Sequence, residues 1–371
     1  MAALASGALA AVVLAGLLQE TRRASDPPPP IDLPPGFTAD VFAAGLGPAR
    51  ALAVDPAGTL IVSIPSQGKV VALADRGAGR AVRTVTVAEG LHLPHGLAFR
   101  HGDLYVAETG RILHFRYDAK TLAARDPVVV VADLPAGGAH HWTRGIAFGP
   151  DGAFYVSVGS SCDICREADR RRASIVRYKA DGSGERLFAT GLRNPVGLAF
   201  HPRSGVLWTT VNERDWRRGG APPDYVTEVY QDGAYGWPDC YAERGLFVGD
   251  PQLQDRRDCQ GLTLPTLEVP AHSAPLGLAF YTGTAFPAPY RESLFVAMHG
   301  SRPELPAAGY KLVRVVFRGG RPVDIEDFAT GWRRDDRVWG RPVDIVAGRD
   351  GALYVSDDHG GRIVRIAFRA R

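Results

Sequence analysis

Residues 196–210 read VGLAFHPRSGVLWTT, a short apolar strand, a tight polar turn and a second apolar strand. The phrase occurs six times. The other copies are RALAVDPAGTLIVSI from Arg50, HGLAFRHGDLYVAE from His95, RGIAFGPDGAFYVSV from Arg144, LGLAFYTGTAFPAPYRESLFVAM from Leu276 and VDIVAGRDGALYVSD from Val343. With Leu52, Leu97, Ile146, Leu198, Leu278 and Ile345 as equivalent positions, successive gaps are 45, 49, 52, 80 and 67 residues. That spacing fits one propeller blade per copy, with insertions in the later ones.

Further β-like runs precede each copy: FTADVFAAGL from Phe37, VRTVTVAEGL from Val82, DPVVVVADL from Asp126, GERLFATGL from Gly184, LTLPTLEV from Leu262 and VDIEDFATGW from Val323. Others follow, such as KVVAL, SIVRYKA and RIVRIAF, so most repeats can supply the four strands of a blade. The expected fold is all-β, a six-bladed β-propeller over residues 31–371. The glycines of GLAF and of the DG turns suit close strand packing and positive-φ turn positions. The fourth copy departs from the scheme. After Asn212 it enters a Gly-, Pro- and Asp-rich excursion to about Gly261, which reads as a functional loop.

Composition narrows the function. The chain has 371 residues, 45% of them apolar, and a formal net charge of +3. That charge is too small for a generalised nucleic-acid surface, and no Lys/Arg run or RNA-binding motif appears, so no nucleic-acid partner is expected. Neither a G-x-S-x-G elbow, nor a P-loop, nor a GxGxxG turn is found, which argues against serine hydrolysis and against ATP or nicotinamide chemistry. Residues 1–30 hold an apolar stretch from Ala2 to Leu18 and a Pro27–Pro30 run. They read as a signal peptide or N-terminal anchor plus linker, implying a periplasmic or secreted protein that meets a membrane only if the segment stays uncleaved. Cys162, Cys165, Cys240 and Cys259 are an even set, most simply two sequence-local disulfides. Arg166 follows the CxxC where haem attachment needs His, and zinc lacks a second ligand pair.

In a propeller, the connections from each outer strand to the next GLAF-like strand converge on one face around the axis. The six carry Arg50; His92 and His95; His140, His141 and Arg144; Arg193 and Asn194; His272; and Trp339 and Arg341. Converging guanidinium groups suit a ligand with several carboxylates or phosphates, because Arg grips planar anions through paired hydrogen bonds. An imidazole among them can act as a base.

From about Leu33 to Phe368 the chain resembles the soluble quinoprotein glucose/sorbosone dehydrogenase family. The resemblance rests on GLRNPVGLAF from Gly191, HHWTRGIAF from His140, YGWP at Tyr235 to Pro238 and the closing GALYVSDDHGGRIVRI. The SSCxxC at Ser160 and NERD at Asn212 are similar to the sorbosone-dehydrogenase-type branch. It implies a six-bladed propeller that binds pyrroloquinoline quinone and Ca2+ and oxidises an aldose or sugar aldehyde to lactone or acid by hydride transfer. It implies that His141 is the catalytic base and cofactor contact, that Arg193 and Asn194 lie beside the quinone, and that Arg193 stabilises developing negative charge. Arg50 and Arg341 match further cofactor contacts. Calcium falls to backbone carbonyls of the Glu213 to Trp216 region, with Glu213, Arg214, Asp215 and Asp224 as candidates and Glu228 as a further ligand or support. Two departures stand out. In VAMHGSR, His299 or Arg302 takes the place of a lysine in glucose-oxidising members, and Val343 stands where a second arginine is expected. The implied partners are a sugar substrate and a separate electron acceptor, a cytochrome or quinone. Rival readings are a calcium-dependent lactonase or esterase, with an axial site of Asp, Asn and Glu, and a non-catalytic ligand-binding propeller.

Overall fold

Each repeated phrase forms the two innermost strands of one sheet. The structure, a computed structural model, describes residues 29–75, 77, 79–137, 140–215, 220–253, 255 and 257–369. Of the leader and linker expected over residues 1–30, residues 1–28 lie outside the described residues. Blade 1 comprises Leu52–Val54, Leu60–Ile64, Lys69–Asp75 and Ala81–Ala88, and blade 2 Leu97–Arg100, Asp103–Ala107, Ile112–Asp118 and Ala123–Val131. Blade 3 comprises Ile146–Phe148, Phe154–Val158, Ser174–Tyr178 and Arg186–Thr190, and blade 4 Pro195–Phe200, Leu207–Val211, Asp224–Val229 and Leu267–Val269. Blade 5 is Pro275–Phe280, Leu294–Met298, Lys311–Arg318 and Arg321–Ala329. Blade 6 takes Pro342–Ala347, Leu353–Asp357 and Arg362–Phe368 from the C-terminal end, and its outermost strand, Phe37–Ala44, from the N-terminal side. That strand pairs antiparallel from Phe37 with Phe368 to Ala44 with Arg362, which closes the ring. Among the described residues there is no α-helix, and no helix is long and apolar enough to cross a membrane.

Burial follows from the layering. The second strands LIVSI, FYVSV, LWTTV, LFVAM and LYVSD are buried at every position, because both faces of an inner strand meet a neighbouring blade. Outer strands such as Ala81–Ala88 are largely exposed, Val87 being the one buried residue of that strand. The seam of blades 5 and 6 is the most aromatic: Phe37 packs edge-on against Phe286 and Phe328, with Trp332 and Tyr281 fully buried beside them.

Around the axis the backbones approach closely. A Cβ on Gly96 would land on the Arg144 carbonyl, one on Gly145 on that of Val196, and one on Gly197 on that of Leu276, so these GLAF-type positions tolerate only glycine. Second-strand hydroxyls join blade to blade there. Ser157 Oγ accepts the Gly145 amide at 2.9 Å and donates to Val196 O of blade 4 at 3.0 Å. Thr210 accepts the Gly197 amide at 3.1 Å and donates to Leu276 O at 2.5 Å. Ser356 accepts the Asp344 amide at 3.0 Å and donates to Arg50 O at 2.5 Å, sealing the last blade to the first.

The excursion after Asn212 is largely ordered structure. It contributes the third strand of blade 4, a two-residue strand Gly233–Ala234 that joins blade 3 in parallel, and a hairpin of Cys240–Glu243 with Leu246–Gly249. The run from Leu262 is strand only over Leu267–Val269. Both sequence-local disulfides are present, Cys162–Cys165 and Cys240–Cys259.

Candidate active site

A cavity of about 260 Å3 opens on the connection face. It is lined by His141, Arg193, Asn194, Asn212, Glu213, Asp215, Asp224, His272, His299, Arg302 and Arg341 among others, so blades 3 to 6 supply its wall.

His141 belongs to the connection entering blade 3. Its backbone is left-handed, with φ at 51°, a conformation that costs a non-glycine residue about 1–2 kcal/mol and needs surrounding bonds to hold it. Arg144 supplies one of these. Its guanidinium, buried to 1% exposure, donates to the carbonyls of His141 at 2.9 Å and Thr143 at 2.7 Å, and to Pro135 O. Arg144 is therefore a brace for the loop rather than the free cation its position suggests. The His141 ring supplies the other bond: Nδ1 lies 2.9 Å from both Ser160 O and Ser160 Oγ. The carbonyl only accepts and the hydroxyl's hydrogen goes to Cys162 O at 2.8 Å, so Nδ1 carries the hydrogen and Nε2 the lone pair. Burial first, then the Arg193 charge, lowers the imidazole to about 3, so it stays neutral across the working range. Gly159 leaves the space in which the His141 Cβ and the Asn194 amide meet.

Arg193 follows the outer strand of blade 3 and is 2% exposed. Nε donates to Asp163 O at 3.0 Å, Nη1 to the carbonyls of Asn212 at 3.1 Å and Glu213 at 2.7 Å, and Nη2 to Asp163 Oδ1 at 2.8 Å. Of its five hydrogens, one on Nη2 remains for a ligand.

On the cavity's acidic side, Asp224 accepts the amides of Glu213 at 2.8 Å and Ala274 at 2.9 Å. Burial dominates there and raises Glu213 to about 8 and Asp224 to about 7, with the Asp224 charge adding to the rise at Glu213 and the Asp215 charge to that at Asp224. Glu213 Oε2 and Asn194 Oδ1 are buried with no hydrogen-bond partner among the described residues. Asp215 meets Arg302 at 3.0 Å and lies 3.7 Å from His272 Nδ1.

The remaining expected contacts fall into place unevenly. Arg341 lines the cavity, but its Nε and Nη2 are engaged with the carbonyls of His299, Gly300 and Ser301, and its guanidinium lies 5.3 Å over the Tyr310 ring. Arg50 stands behind the wall. Its Nη1 binds Asp358 at 2.7 Å, and Asp358 binds His299 Nε2 at 3.0 Å, so blade 1 reaches the cavity only through that relay. Both fifth-blade candidates, His299 and Arg302, line the cavity. The other residues singled out in the sequence lie as follows. The Arg214 side chain is a buried guanidinium paired with Asp250 and Asp163, which leaves its main-chain oxygen as the atom it can offer a cation. Glu228 lies off the cavity, accepting from the Tyr230 hydroxyl at 2.5 Å. His95 lines the narrow axial channel, where burial lowers it to about 3, while His92 and His140 are absent from the cavity wall. Val343, where a second arginine was expected, packs with Val196 and Leu276 in an apolar plug on the axis. Trp142 and Trp339 are occupied as platforms for Arg50 at 5.6 Å and Arg362 at 3.9 Å. Three residues escaped the sequence reading: Ser160, Asp163 and Asp358. Only the SSCDIC and SDDHGG contexts hinted at them.

The donor set fits an anionic quinone with a hard cation. Unspent hydrogens on Arg193 and Arg341, with the Arg302 guanidinium, suit carboxylates. The unpartnered oxygens of Glu213 and Asn194 call for a cation with oxygen ligands.

The family model described as TrAA12-like matches residues 31–368. The pyrroloquinoline quinone-dependent pyranose dehydrogenase of Coprinopsis cinerea is 26% identical over 396 residues, covering 88% of this chain and 53% of that protein. The chain spans about half the length of the curated relatives it matches. Among solved structures, the holo form of the pyranose dehydrogenase PQQ domain from Coprinopsis cinerea superposes with a TM-score of 0.80 at 23% identity, over 92% of this chain and 98% of that one. The calcium structure of the family AA12 protein of Trichoderma reesei superposes with a TM-score of 0.81 at 22% identity, over 94% and 100%. These structural likenesses show the six-bladed fold.

Proposed function

Because the chain belongs to the TrAA12-like family, we propose that it oxidises an aldose or sugar aldehyde to the lactone or acid, with pyrroloquinoline quinone and Ca2+ in the cavity between His141 and Arg341. The observation that carries this reading is the His141 tautomer: Nδ1 is committed to Ser160 O, which leaves Nε2 as an unprotonated nitrogen beside a buried cation.

Nε2 takes the proton from the sugar hydroxyl. Arg193, fixed by four hydrogen bonds, stabilises negative charge without reorganising, because its dipoles and charge are in place beforehand. Asn194 sits beside it on the connection to blade 4. The quinone supplies the hydride acceptor and calcium polarises it. Arg341 and Arg302 would hold the acidic edge of the cofactor, and Arg50 braces that wall through Asp358 and His299. Glu213, Asp224 and the Asp215 backbone are the oxygen-rich side for the cation; its positive charge would draw both raised carboxyls into the ionised form. Electrons then leave to a separate acceptor, and the expected setting is outside the cytoplasm.

The test is a titration of the full chain with pyrroloquinoline quinone and calcium, followed by cofactor absorbance and then by addition of an aldose panel. Calcium-dependent binding and bleaching of the quinone by at least one sugar are expected. No binding in calcium overturns the reading and favours a hydrolytic or binding propeller.

A further inference from the structure

The candidate base and the candidate cation hang from one six-residue loop. Residues 160–165 read SSCDIC, and the Cys162–Cys165 disulfide closes a small ring around Asp163. At the start of the loop, Ser160 receives His141 Nδ1 on its carbonyl, while its hydroxyl donates to Cys162 O at 2.8 Å. In the middle, Asp163 Oδ1 accepts from Arg193 Nη2 at 2.8 Å and from the Asp215 amide at 3.0 Å. Its Oδ2 accepts from Arg214 Nη2 at 3.3 Å, and its main-chain oxygen accepts from Arg193 Nε at 3.0 Å and Trp237 Nε1 at 3.3 Å. At the far end, Arg166 forks onto Asp239 at 2.8 and 3.2 Å, next to the Cys240–Cys259 disulfide.

Two features set Asp163 apart from an ordinary surface carboxylate. Arg193 is almost wholly buried, and among the described residues Asp163 is its one ion-pair partner. A buried cation without a counter-ion is strongly unfavourable, so the guanidinium follows wherever that carboxylate is held. The disulfide then removes the freedom of the chain on either side of it. Asp163 itself does not line the cavity.

We propose that Asp163, held in the Cys162–Cys165 ring, is a positioning residue that fixes Arg193 against the Asn212 and Glu213 carbonyls and so aligns the cation with His141. Its catalytic consequence rests on the dehydrogenase reading; its structural consequence does not.

The full chain loaded with pyrroloquinoline quinone and calcium gives the first readout. Asp163→Asn keeps an acceptor for the Asp215 amide but removes the counter-charge. The rate of quinone reduction at saturating sugar should fall by about tenfold to a hundredfold, as expected when a reacting group is misplaced by roughly an ångström, with the sugar KM changed less than about twofold. Asp163→Glu should recover part of the rate, and Cys162→Ser/Cys165→Ser should repeat the loss. Hydrogen–deuterium exchange on the quinone-free protein gives the second. Asp163→Ala should speed exchange in peptides covering 191–195 and 212–215 and leave blades 1 and 2 unchanged. An unchanged rate in Asp163→Asn, or a loss that Glu does not relieve and that tracks melting temperature, overturns the proposal. Unchanged exchange at 212–215 overturns it even if the wild-type protein reduces no quinone.

Discussion

Blades 1 and 2 and blades 3 to 6 solve different problems with the same repeat. The first pair is regular: short turns, four strands each, and no residue on the wall of the cavity. The others carry the insertions, both disulfides and every lining side chain. The difference teaches that chemistry here sits where the repeat is interrupted. A blade's strands are fixed by the need to bury both faces, and only the segments between strands are free to bring Arg193, Glu213 and His299 together.

If that division is right, the excursion should depend on polar bonds and the blades on packing. The largest effect is expected at Asp250. Its carboxylate and the Arg214 guanidinium are each buried to within 3% of full burial, and removing one partner of such a pair costs about 3–5 kcal/mol. Asp250→Ala should therefore lower the melting temperature sharply and abolish quinone binding, while circular dichroism below the transition still reports the β-propeller.

The buried acids give an effect of comparable size. Glu213 and Asp224 titrate at about 8 and 7 in the fold, above their ordinary carboxylate values. The native state thus holds more protons than the unfolded chain between about pH 4 and 8, and stability must fall as pH rises through that window. In EDTA, chemical denaturation should show the protein weaker at pH 8 than at pH 5 by on the order of 5 kcal/mol. Calcium should restore the loss at pH 8, and Glu213→Gln should flatten both the pH dependence and the calcium effect.

Asp358 links the two halves, since it serves Arg50 from blade 1 and His299 from blade 5. Burial alone would raise its carboxyl, but the His299 and Arg50 donors and charges override that and hold it well below the usual carboxylate range. Asp358→Asn should cost about 1–3 kcal/mol and weaken quinone affinity several-fold in the same absorbance titration. The smallest effect belongs to the repeat itself. Ser157→Ala removes one blade-to-blade hydroxyl and leaves the Gly145 amide and Val196 carbonyl short of a partner, a loss of about 1–2 kcal/mol with quinone affinity unchanged.

The same division explains what the sequence revealed. Six GLAF-like phrases are legible because a two-sided buried strand leaves an uninterrupted apolar run, and a close axial approach leaves a glycine. The run at Phe37 is legible as a strand, but its place as the outermost strand of blade 6, which closes the ring, comes from its pairing with Arg362–Phe368. His141, Arg193 and Asn194 share one cavity because their connections all emerge on one face. Hydrogen-bond partners were not legible. Arg50, Arg144 and Arg341 look alike as letters near the axis, yet one is a relay, one a brace and one half-spent on carbonyls. Arg214 sits in a loop read for its acids, but a buried ion pair needs a partner 36 residues away, which spacing does not reveal. Asp163 hid for the same reason: between two cysteines it reads as disulfide-loop filler, and only distances identify it as the counter-ion of Arg193.

The central claim is that His141 Nε2 is the base of a quinone-dependent sugar oxidation in this cavity. Stopped-flow absorbance of the quinone- and calcium-loaded protein, mixed with a reactive aldose, tests it most directly when wild type and His141→Ala are compared. The claim predicts equal quinone binding in both and a reduction rate lower by about a hundredfold or more in the variant, the usual contribution of a general base. Equal reduction rates in the two proteins would contradict it.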